Sequence, residues 1–252
     1  GNGHIITINN FNTSSFTGGS DINCGLFTTI SNNTVVKNVT LDVANLLVTK
    51  AEIKALNENG TTDADGNVTR NAKINLSNIN SFNFGMLAGT NNGSLTNIKV
   101  INTKQTNAND SSSKYLFVYS TIGYISNGTL VDGNVGGIVG VNAGTISNSY
   151  IGLNDTYYSN QSNSEDLKAL ASEGSTRIQT YPFFIVGGKS IGAFVNKNAG
   201  IIANSYNLGV GLINSSTIFS GSKTAGFVVS NSSNGYIFNS MVEGIKTNSY
   251  RA

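Results

Sequence analysis

The sequence predicts an all-β protein with the fold of a right-handed parallel β-helix, or β-solenoid, that carries loop or short helical insertions. Two observations lead to this prediction: a composition rich in small polar residues and a motif that recurs along the chain. The 252 residues include 29 Gly and 39 Asn, but only 11% are charged. Hydrophobic residues make up 38%, enough for a folded core, and no run reaches the ~18 apolar residues of a membrane helix. One domain over residues 1–252 is expected.

The recurring motif leads from a glycine through an apolar strand and an Asn/Gly turn into a second strand. Three copies are clear, at 137–152, 192–209 and 226–244, and two are partial, at 25–41 and 85–100. The step from the turn residue to the next Asn is always four residues, whereas the step from the opening glycine to the turn varies. A fixed strand after a variable turn is typical of stacked coils. The alternative, a β-sandwich of hairpins, gives no reason for the fixed step.

The turns and the strands after them predict specific positions in such a stack. Gly93, Gly144, Gly200 and Gly235 are expected to have positive φ, which Thr34 of the first copy cannot adopt comfortably, so the first copy should turn differently. The apolar residues two positions later follow strand periodicity and should form one interior column. They are Val36, Leu95, Ile146, Ile202 and Ile237.

An Asn two residues beyond each apolar position has the same strand parity. These residues are Asn38, Asn97, Asn148, Asn204 and Asn239. A buried Asn needs hydrogen-bond partners, which stacked amides could supply to one another as an asparagine ladder. The alternative is that Asn simply tolerates the turn geometry. Both interpretations stay open.

The spacing between copies predicts the number of coils and the insertions. Successive copies begin 34 to 60 residues apart, so coils of roughly 20 to 25 residues give two or more coils per copy and about ten or eleven in all. Insertions are expected at about 50–72, 103–114 and 153–180. Two of them contain the good helix-forming runs 50–58 and 165–173. Loops on a rigid scaffold are where such folds usually place binding.

The motif resembles the GLUG motif of bacterial surface and secreted proteins. The similarity rests on Gly-[Ile/Ala/Phe]-Val, a small turn, and Gly-[Thr/Ile]-Ile-x-Asn-Ser-Tyr, as at 144–150 and 200–206, and covers about a third of the chain. The segments 1–6 and 24–27 also resemble the coil that commonly precedes such repeats. The resemblance implies a bacterial extracellular protein with adhesin-like parallel β-helix architecture. It supplies no catalytic residues, because the motif is structural.

Few residues carry chemistry. Cys24 and His4 are the single cysteine and histidine, which excludes an internal disulfide and a cysteine-cluster metal site, and both are expected to be structural. Asp63 and Asp65 are candidate calcium ligands, but Gly66 comes too early for the EF-hand order, so a polar turn is preferred. No catalytic residue, cofactor-binding residue or cofactor is predicted.

Aromatic residues and acids suggest two kinds of glycan site. Tyr115, Tyr119, Tyr157 and Tyr158 are candidates for stacking on sugars, with core packing as the preferred alternative. A polysaccharide-degrading β-helix enzyme, a lyase or glycoside hydrolase, is the alternative function. Glycoside cleavage needs two acids ~5 to 9.5 Å apart. The candidate pairs among the 13 acids are Glu165 with Asp166, Asp63 with Asp65, and Asp132 with Asp155.

The charge pattern limits the partners. Fifteen Lys and Arg oppose 13 Asp and Glu, and the basic residues form no run, so neither nucleic acid nor an anionic membrane surface is an expected partner. The sequence therefore predicts an extracellular module, on the bacterial cell surface or secreted, that is not an enzyme and does not insert into a membrane. It would act as an adhesin or structural stalk and bind a host or matrix protein or a glycan through its loops. Neither end has a convincing cap, so the chain is expected to be part of a larger polypeptide.

Overall fold

The computed structural model describes residues 2–9, 21–48, 61–62, 68–69, 81–103, 115–117, 125–126, 129–130, 133–152, 183–187, 190–214, 223–243 and 247–249. Within these ranges the chain is almost entirely β-strand, and its one helical segment there is the 3-10 turn Ala44–Leu46. The predicted all-β class is confirmed. The composition accounts for it, because Val, Ile, Thr and aromatic residues favour extended backbone while abundant Asn and Gly disfavour helices.

The described strands are short and follow one another closely. In chain order they are β1 (Ile5–Thr7), β2 (Asp21–Cys24), β3 (Phe27–Ile30), β4 (Val35–Asp42), β5 (Leu47–Val48), β6 (Thr61–Thr62), β7 (Val68–Thr69), β8 (Ser81–Phe84), β9 (Ala88–Asn91), β10 (Ser94–Ile101), β11 (Tyr115–Phe117), β12 (Ile125–Ser126), β13 (Thr129–Leu130), β14 (Gly133–Gly136), β15 (Val139–Asn142), β16 (Thr145–Ser147), β17 (Tyr150–Gly152), β18 (Phe184–Gly187), β19 (Ser190–Gly192), β20 (Val195–Asn198), β21 (Ile201–Ala203), β22 (Tyr206–Leu208), β23 (Gly211–Asn214), β24 (Lys223–Ala225), β25 (Val228–Asn231), β26 (Tyr236–Phe238), β27 (Met241–Glu243) and β28 (Thr247–Ser249). Strands of three or four residues can each present only one or two side chains to a core.

Most of the strands lie in four sheets, and within each sheet neighbouring strands follow the order of the chain. Two are five-stranded and parallel throughout, β2-β8-β14-β19-β24 and β3-β9-β15-β20-β25. A nine-stranded parallel sheet joins β1, β4 and β10 to two rows, β16-β21-β26 and β17-β22-β27. The fourth, β5-β11-β18-β23-β28, is parallel except where β5 meets β11. Parallel pairing is thus confirmed for these sheets, while β6–β7 and β12–β13 form small antiparallel ribbons.

Paired strands come from successive copies of the motif. Apart from β1 and the two small ribbons, the described strands fall into five repeats, numbered here 1 to 5: 21–48, 81–117, 133–187, 190–214 and 223–249. Hydrogen-bonded Asn pairs in equivalent positions are 60, 51, 56 and 33 residues apart. Each repeat therefore lies directly against the next, so one copy supplies one layer. The expectation of two or more coils per copy was wrong, because even the shortest layer takes 33 residues to supply its five strands.

The predicted apolar column is present. Its members pair in register from β4 through β10, β16 and β21 to β26. Leu95, Ile146 and Ile202 are completely buried, whereas Ile237 at the C-terminal end is 39% exposed. Each fully buried aliphatic side chain stabilises the fold by about 1.5 to 3 kcal/mol. In this column the three central repeats are fully buried, and the last repeat is only partly covered.

The strand register corrects the alignment of the opening glycines. Gly192 pairs with Gly136 and not with Gly137. When the count starts at Gly136, the step to Gly144 is eight residues, the same as the step from Gly192 to Gly200. The variable step between these copies came from choosing the wrong one of two adjacent glycines. Glycine at 137 has its own role, because a Cβ there would overlap the carbonyl oxygen of Ala193.

The turn glycines do not have the predicted positive φ. Among the described glycines, positive φ occurs at Gly3, Gly152 and Gly209. At Gly93, Gly144, Gly200 and Gly235 the constraint is contact between repeats. A Cβ on Gly93 would overlap the carbonyl oxygen of Thr34, one on Gly144 that of Gly93, one on Gly200 that of Gly144, and one on Gly235 that of Asn198. Glycine is required there because two backbones approach closely, not because of its dihedral freedom.

The first repeat turns differently, as expected. Its turn places positive φ on Asn33 (64°) and is closed by the Thr34 N–H, which donates to the Ser31 carbonyl oxygen at 3.2 Å. Strand β1 covers only the 40–42 part of β4. No described strand lies beyond Thr34, which explains why this position tolerates a side chain.

The predicted insertions fall mostly outside the described residues. The expected helices at 50–58 and 165–173 lie there, as do 104–114 and 153–180. Within 50–72 the described residues are the antiparallel ribbon β6–β7.

Candidate functional site

The five predicted Asn residues lie at a bend on the outside of the nine-stranded sheet. Asn38, Asn97, Asn148, Asn204 and Asn239 all have positive φ, between 45° and 58°. A residue with positive φ interrupts the regular alternation of inward and outward side chains along a strand. The side chains of these five residues therefore point outward, and they are exposed or half-buried. Their expected interior location was wrong, because strand parity does not carry through a bend. Asn suits it because its short side chain tolerates positive φ.

The side-chain amides of these residues also bond to one another. Asn97 Nδ2 donates to Oδ1 of Asn38 at 2.9 Å, Asn204 Nδ2 to Oδ1 of Asn148 at 3.2 Å, and Asn239 Nδ2 to Oδ1 of Asn204 at 2.5 Å. We call these five residues the outer ladder. Asn at these positions therefore both tolerates the positive φ of the bend and forms hydrogen bonds with the Asn of the next repeat. The ladder and the turn-geometry interpretations do not exclude each other.

Substitution at Asn204 separates the two contributions. Asn204→Ala should lower the free energy of unfolding by about 1 to 2 kcal/mol. Alanine is strained at positive φ, and the solvent-exposed hydrogen bonds of the Asn204 side-chain amide are lost. Asn204→Gly loses the same bonds without the strain, so it should cost about 1 kcal/mol less. Urea unfolding measures both. Equal losses in the two variants would contradict a conformational role.

A second ladder was not predicted, and all of its residues except the exposed Asn231 are buried. We call Asn91, Asn142, Asn198 and Asn231 the inner ladder. Asn91 Nδ2 donates to Oδ1 of Asn142, Asn142 Nδ2 to Oδ1 of Asn198, and Asn198 Nδ2 to Oδ1 of Asn231, at 2.8, 2.8 and 2.7 Å. The first three residues are 0 to 1% exposed. The repeated Asn-x-Gly at 91–93, 142–144 and 198–200 was the available signal, since each Asn lies two residues before the turn glycine.

Two further polar rows join the repeats. Asn134 Nδ2 donates to Oδ1 of Asn83 at 2.6 Å, and Asn83 Nδ2 to Oδ1 of Asn23 at 2.8 Å. Beside the outer ladder, the backbone N–H of Ser149 donates to Oγ of Ser205 at 3.3 Å, and the Ser205 hydroxyl donates to the Ala203 carbonyl oxygen. Such serines satisfy backbone groups that the bend removes from the strand ladder.

Cys24 is buried at the end of β2. Burial raises the pKa of its thiol from 9.0 to about 11, and a backbone hydrogen bond at Gly25 acts weakly in the opposite direction. The thiol is therefore protonated near neutral pH and is a poor nucleophile. This agrees with the structural role predicted for it.

The raised pKa of Cys24 makes stability depend on alkaline pH. The unfolded chain loses the thiol proton first, so this contribution to stability is complete below pH 9 and is lost as the pH rises towards 11. Between pH 8 and pH 11 the free energy of unfolding of the wild type should fall by about 2 kcal/mol relative to Cys24→Ala. Urea unfolding of both proteins measures this, and parallel pH profiles would contradict it.

Asp42 is the acidic residue whose side chain the structure describes, and its role is structural. Asp42 is buried, and its Oδ1 accepts from the backbone N–H of Ala44 at 3.0 Å and of Thr103 at 3.1 Å, while the Thr103 hydroxyl bonds to Oδ2. It therefore anchors the end of β4. The candidate pairs Glu165–Asp166, Asp63–Asp65 and Asp132–Asp155 lie outside the described residues.

The remaining predicted site residues are placed only in part. Tyr115 begins β11, with only its backbone described, and Tyr119, Tyr157 and Tyr158 lie outside the described ranges. His4 is exposed. Among the described residues no group of three or more His, Cys, Asp or Glu could hold a metal ion. No helix in this part of the chain is long and apolar enough to cross a membrane.

Comparison of the chain with protein-family models, with curated proteins and with solved structures found no match.

Proposed function

We propose that the chain is a right-handed parallel β-helix module of an extracellular bacterial surface or secreted protein of the GLUG-motif kind, and that it acts as an adhesin or stalk. The observation that carries the proposal is the stacking of five repeats in register, joined by rows of uncharged amides. In such an array each repeat contacts its neighbours only, so the length grows with repeat number while the cross-section stays constant. That is the mechanical requirement for holding a binding surface away from a cell.

The ligand in this proposal is a host or matrix protein or a glycan. Three of the four separations between repeats, 60, 51 and 56 residues, exceed the 33 of the last. The additional residues are carried between strands of repeats 1 to 3, where variation does not disturb the stack. In this proposal the additional residues carry the binding surface without a change in the scaffold.

A polysaccharide-degrading enzyme is the alternative. It would need two acids near one sugar ring, whereas the hydrogen bonds of Asp42 assign that acid to the fold. Asp42 is therefore a structural residue and not a candidate catalytic acid.

One pair of assays separates the two functions. The purified 252-residue chain is applied to an array of glycans and matrix proteins, and separately incubated with a polysaccharide panel followed by analysis for new reducing ends and unsaturated products. Saturable binding without product supports the adhesin. Product formation would establish the enzyme, and neither binding nor product would leave only the stalk role.

A further inference from the structure

Repeats 4 and 5 expose large apolar side chains on the outside of the nine-stranded sheet. Tyr236 and Phe238 of β26 are 62% and 54% exposed, and Met241 of β27 is 47% exposed. The two rings flank Ile237, which belongs to the inward column, so both point outward. We call Tyr206, Tyr236, Phe238, Met241, Asn204 and Asn239 the aromatic–amide patch.

The end of the stack accounts for the exposure of the inward residues of repeat 5 but not for the outward direction of its two rings. Ile237 and Val242 alternate with the outward residues and are exposed because no described strand pairs with the outer edge of β26 or β27. A strand added at that edge would cover these inward residues. It would leave Tyr236 and Phe238 pointing outward, because strands pair in the plane of a sheet while side chains stand perpendicular to it. Met241 differs, since Tyr150 in the same outward row is only 8% exposed between its two paired strands.

Oriented amides lie beside the exposed rings. Asn239 follows Phe238 directly, and its Nδ2 donates to Oδ1 of Asn204, whose own Nδ2 donates to Asn148. Each Nδ2 carries a second hydrogen beyond the one used in the ladder. The ladder fixes the amides before any ligand arrives, which reduces the entropy lost on binding.

We infer that the aromatic–amide patch binds a neutral polysaccharide, an inference that rests on the proposed function and names its ligand class. The C–H face of a sugar ring packs against an aromatic ring, and its hydroxyls can donate to or accept from an amide. The described outward side chains of β21, β22 and β26, together with Met241 of β27, carry no charge, so the patch offers no electrostatic attraction for an anionic chain.

A glycan fits this patch better than a protein surface does. An interface that buried the rings would also cover Asn204 and Asn239, and each buried amide group left without a partner would weaken binding. A protein must offer matching groups at fixed positions. The hydroxyls of a sugar rotate to meet either an amide hydrogen or a carbonyl oxygen, so a polysaccharide satisfies the amides more readily.

Affinity electrophoresis and titration calorimetry test the inference with the whole 252-residue chain. The probes are neutral β-glucan and mannan, with alginate and heparin as anionic comparators. The double variant Tyr236→Ala/Phe238→Ala should weaken binding of a neutral glycan by at least about tenfold. Phe238→Tyr keeps a ring and should bind as the wild type does. Thr145→Ala changes the position equivalent to Tyr236 two repeats away and should have no effect.

The outcomes distinguish the patch from the function on which it depends. Circular dichroism and thermal melting establish that each variant is folded. Neutral-glycan binding that the double variant retains would overturn the patch while leaving a glycan-binding adhesin, with its site elsewhere. Binding of anionic glycans alone would overturn the ligand class. Wild-type self-association that the double variant abolishes would assign the patch to a second copy of the chain. Absence of any glycan binding would overturn the inference and the glycan part of the proposed function together.

Discussion

Gly144→Ala is expected to destabilise the protein by about 3 kcal/mol or more, enough to unfold much of the population. The added Cβ would overlap the carbonyl oxygen of Gly93 and approach the backbone of Asn92 in the repeat before it. Backbone atoms cannot move aside as the end of a flexible side chain can, so the two repeats would have to separate. Their separation would also disturb the inner ladder beside the turn. Urea unfolding followed by circular dichroism measures the change.

The matched control is Thr34→Ala, at the equivalent place in repeat 1. No described strand lies beyond it, so this change should alter stability by less than about 0.5 kcal/mol. If Gly144→Ala were equally mild, the repeats could not approach as closely as the structure places them. The interpretation of all four turn glycines would then be wrong.

Asn142→Ala is expected to cost about 3 to 5 kcal/mol. Asn142 is completely buried and lies between Asn91, from which it accepts a hydrogen bond, and Asn198, to which it donates. Its removal leaves an amide hydrogen on one neighbour and a carbonyl oxygen on the other without that partner, in a place closed to water. Each such group costs about 1 to 3 kcal/mol, and the emptied space adds to the loss. Equilibrium unfolding in urea gives the value.

Asn92→Ala is the control for the ladder. Asn92 lies next to the ladder residue Asn91 in a half-buried turn position, and the equivalent residue of repeat 3 is already Ala143. This substitution should change stability by no more than about 0.5 kcal/mol. A loss at Asn142 as small as that at Asn92 would show that the inner ladder contributes little to the fold.

The pairing of the repeats could be predicted from the sequence, but the number of strands in one layer could not. The constant step from Gly144 to Asn148, and its equivalents, identified the column of Leu95, Ile146 and Ile202, because residues paired in register must recur at fixed positions. The number of strands per layer could not be derived, since it depends on how often the chain bends. The positive φ on Asn148 is one such bend, and strand periodicity does not reveal it.

The site was harder to predict than the fold for a related reason. The sequence pattern made Asn204 and Asn239 candidates for an interior ladder or for turn residues, because strand parity alone does not show the change of side-chain direction at a left-handed residue. The same change concealed the outward direction of Tyr206 and Met241, which follow that residue. Tyr236 and Phe238 precede it on a strand whose inward residue, Ile237, was correctly identified. That parity alone predicts that both rings point outward.

The two ladders run in opposite senses. The three bonds of the outer ladder each donate towards the N-terminal neighbour, as Asn239 does to Asn204, whereas in the inner ladder Asn142 donates towards the C-terminal neighbour Asn198. A single row of aligned amides would add up to a macrodipole that grows with length, as peptide units do in an α-helix. Opposed rows offset part of that field, although the row of Asn134, Asn83 and Asn23 donates in the same sense as the outer ladder. Added repeats therefore build up less partial charge at the two extremities than rows that all run in one sense would.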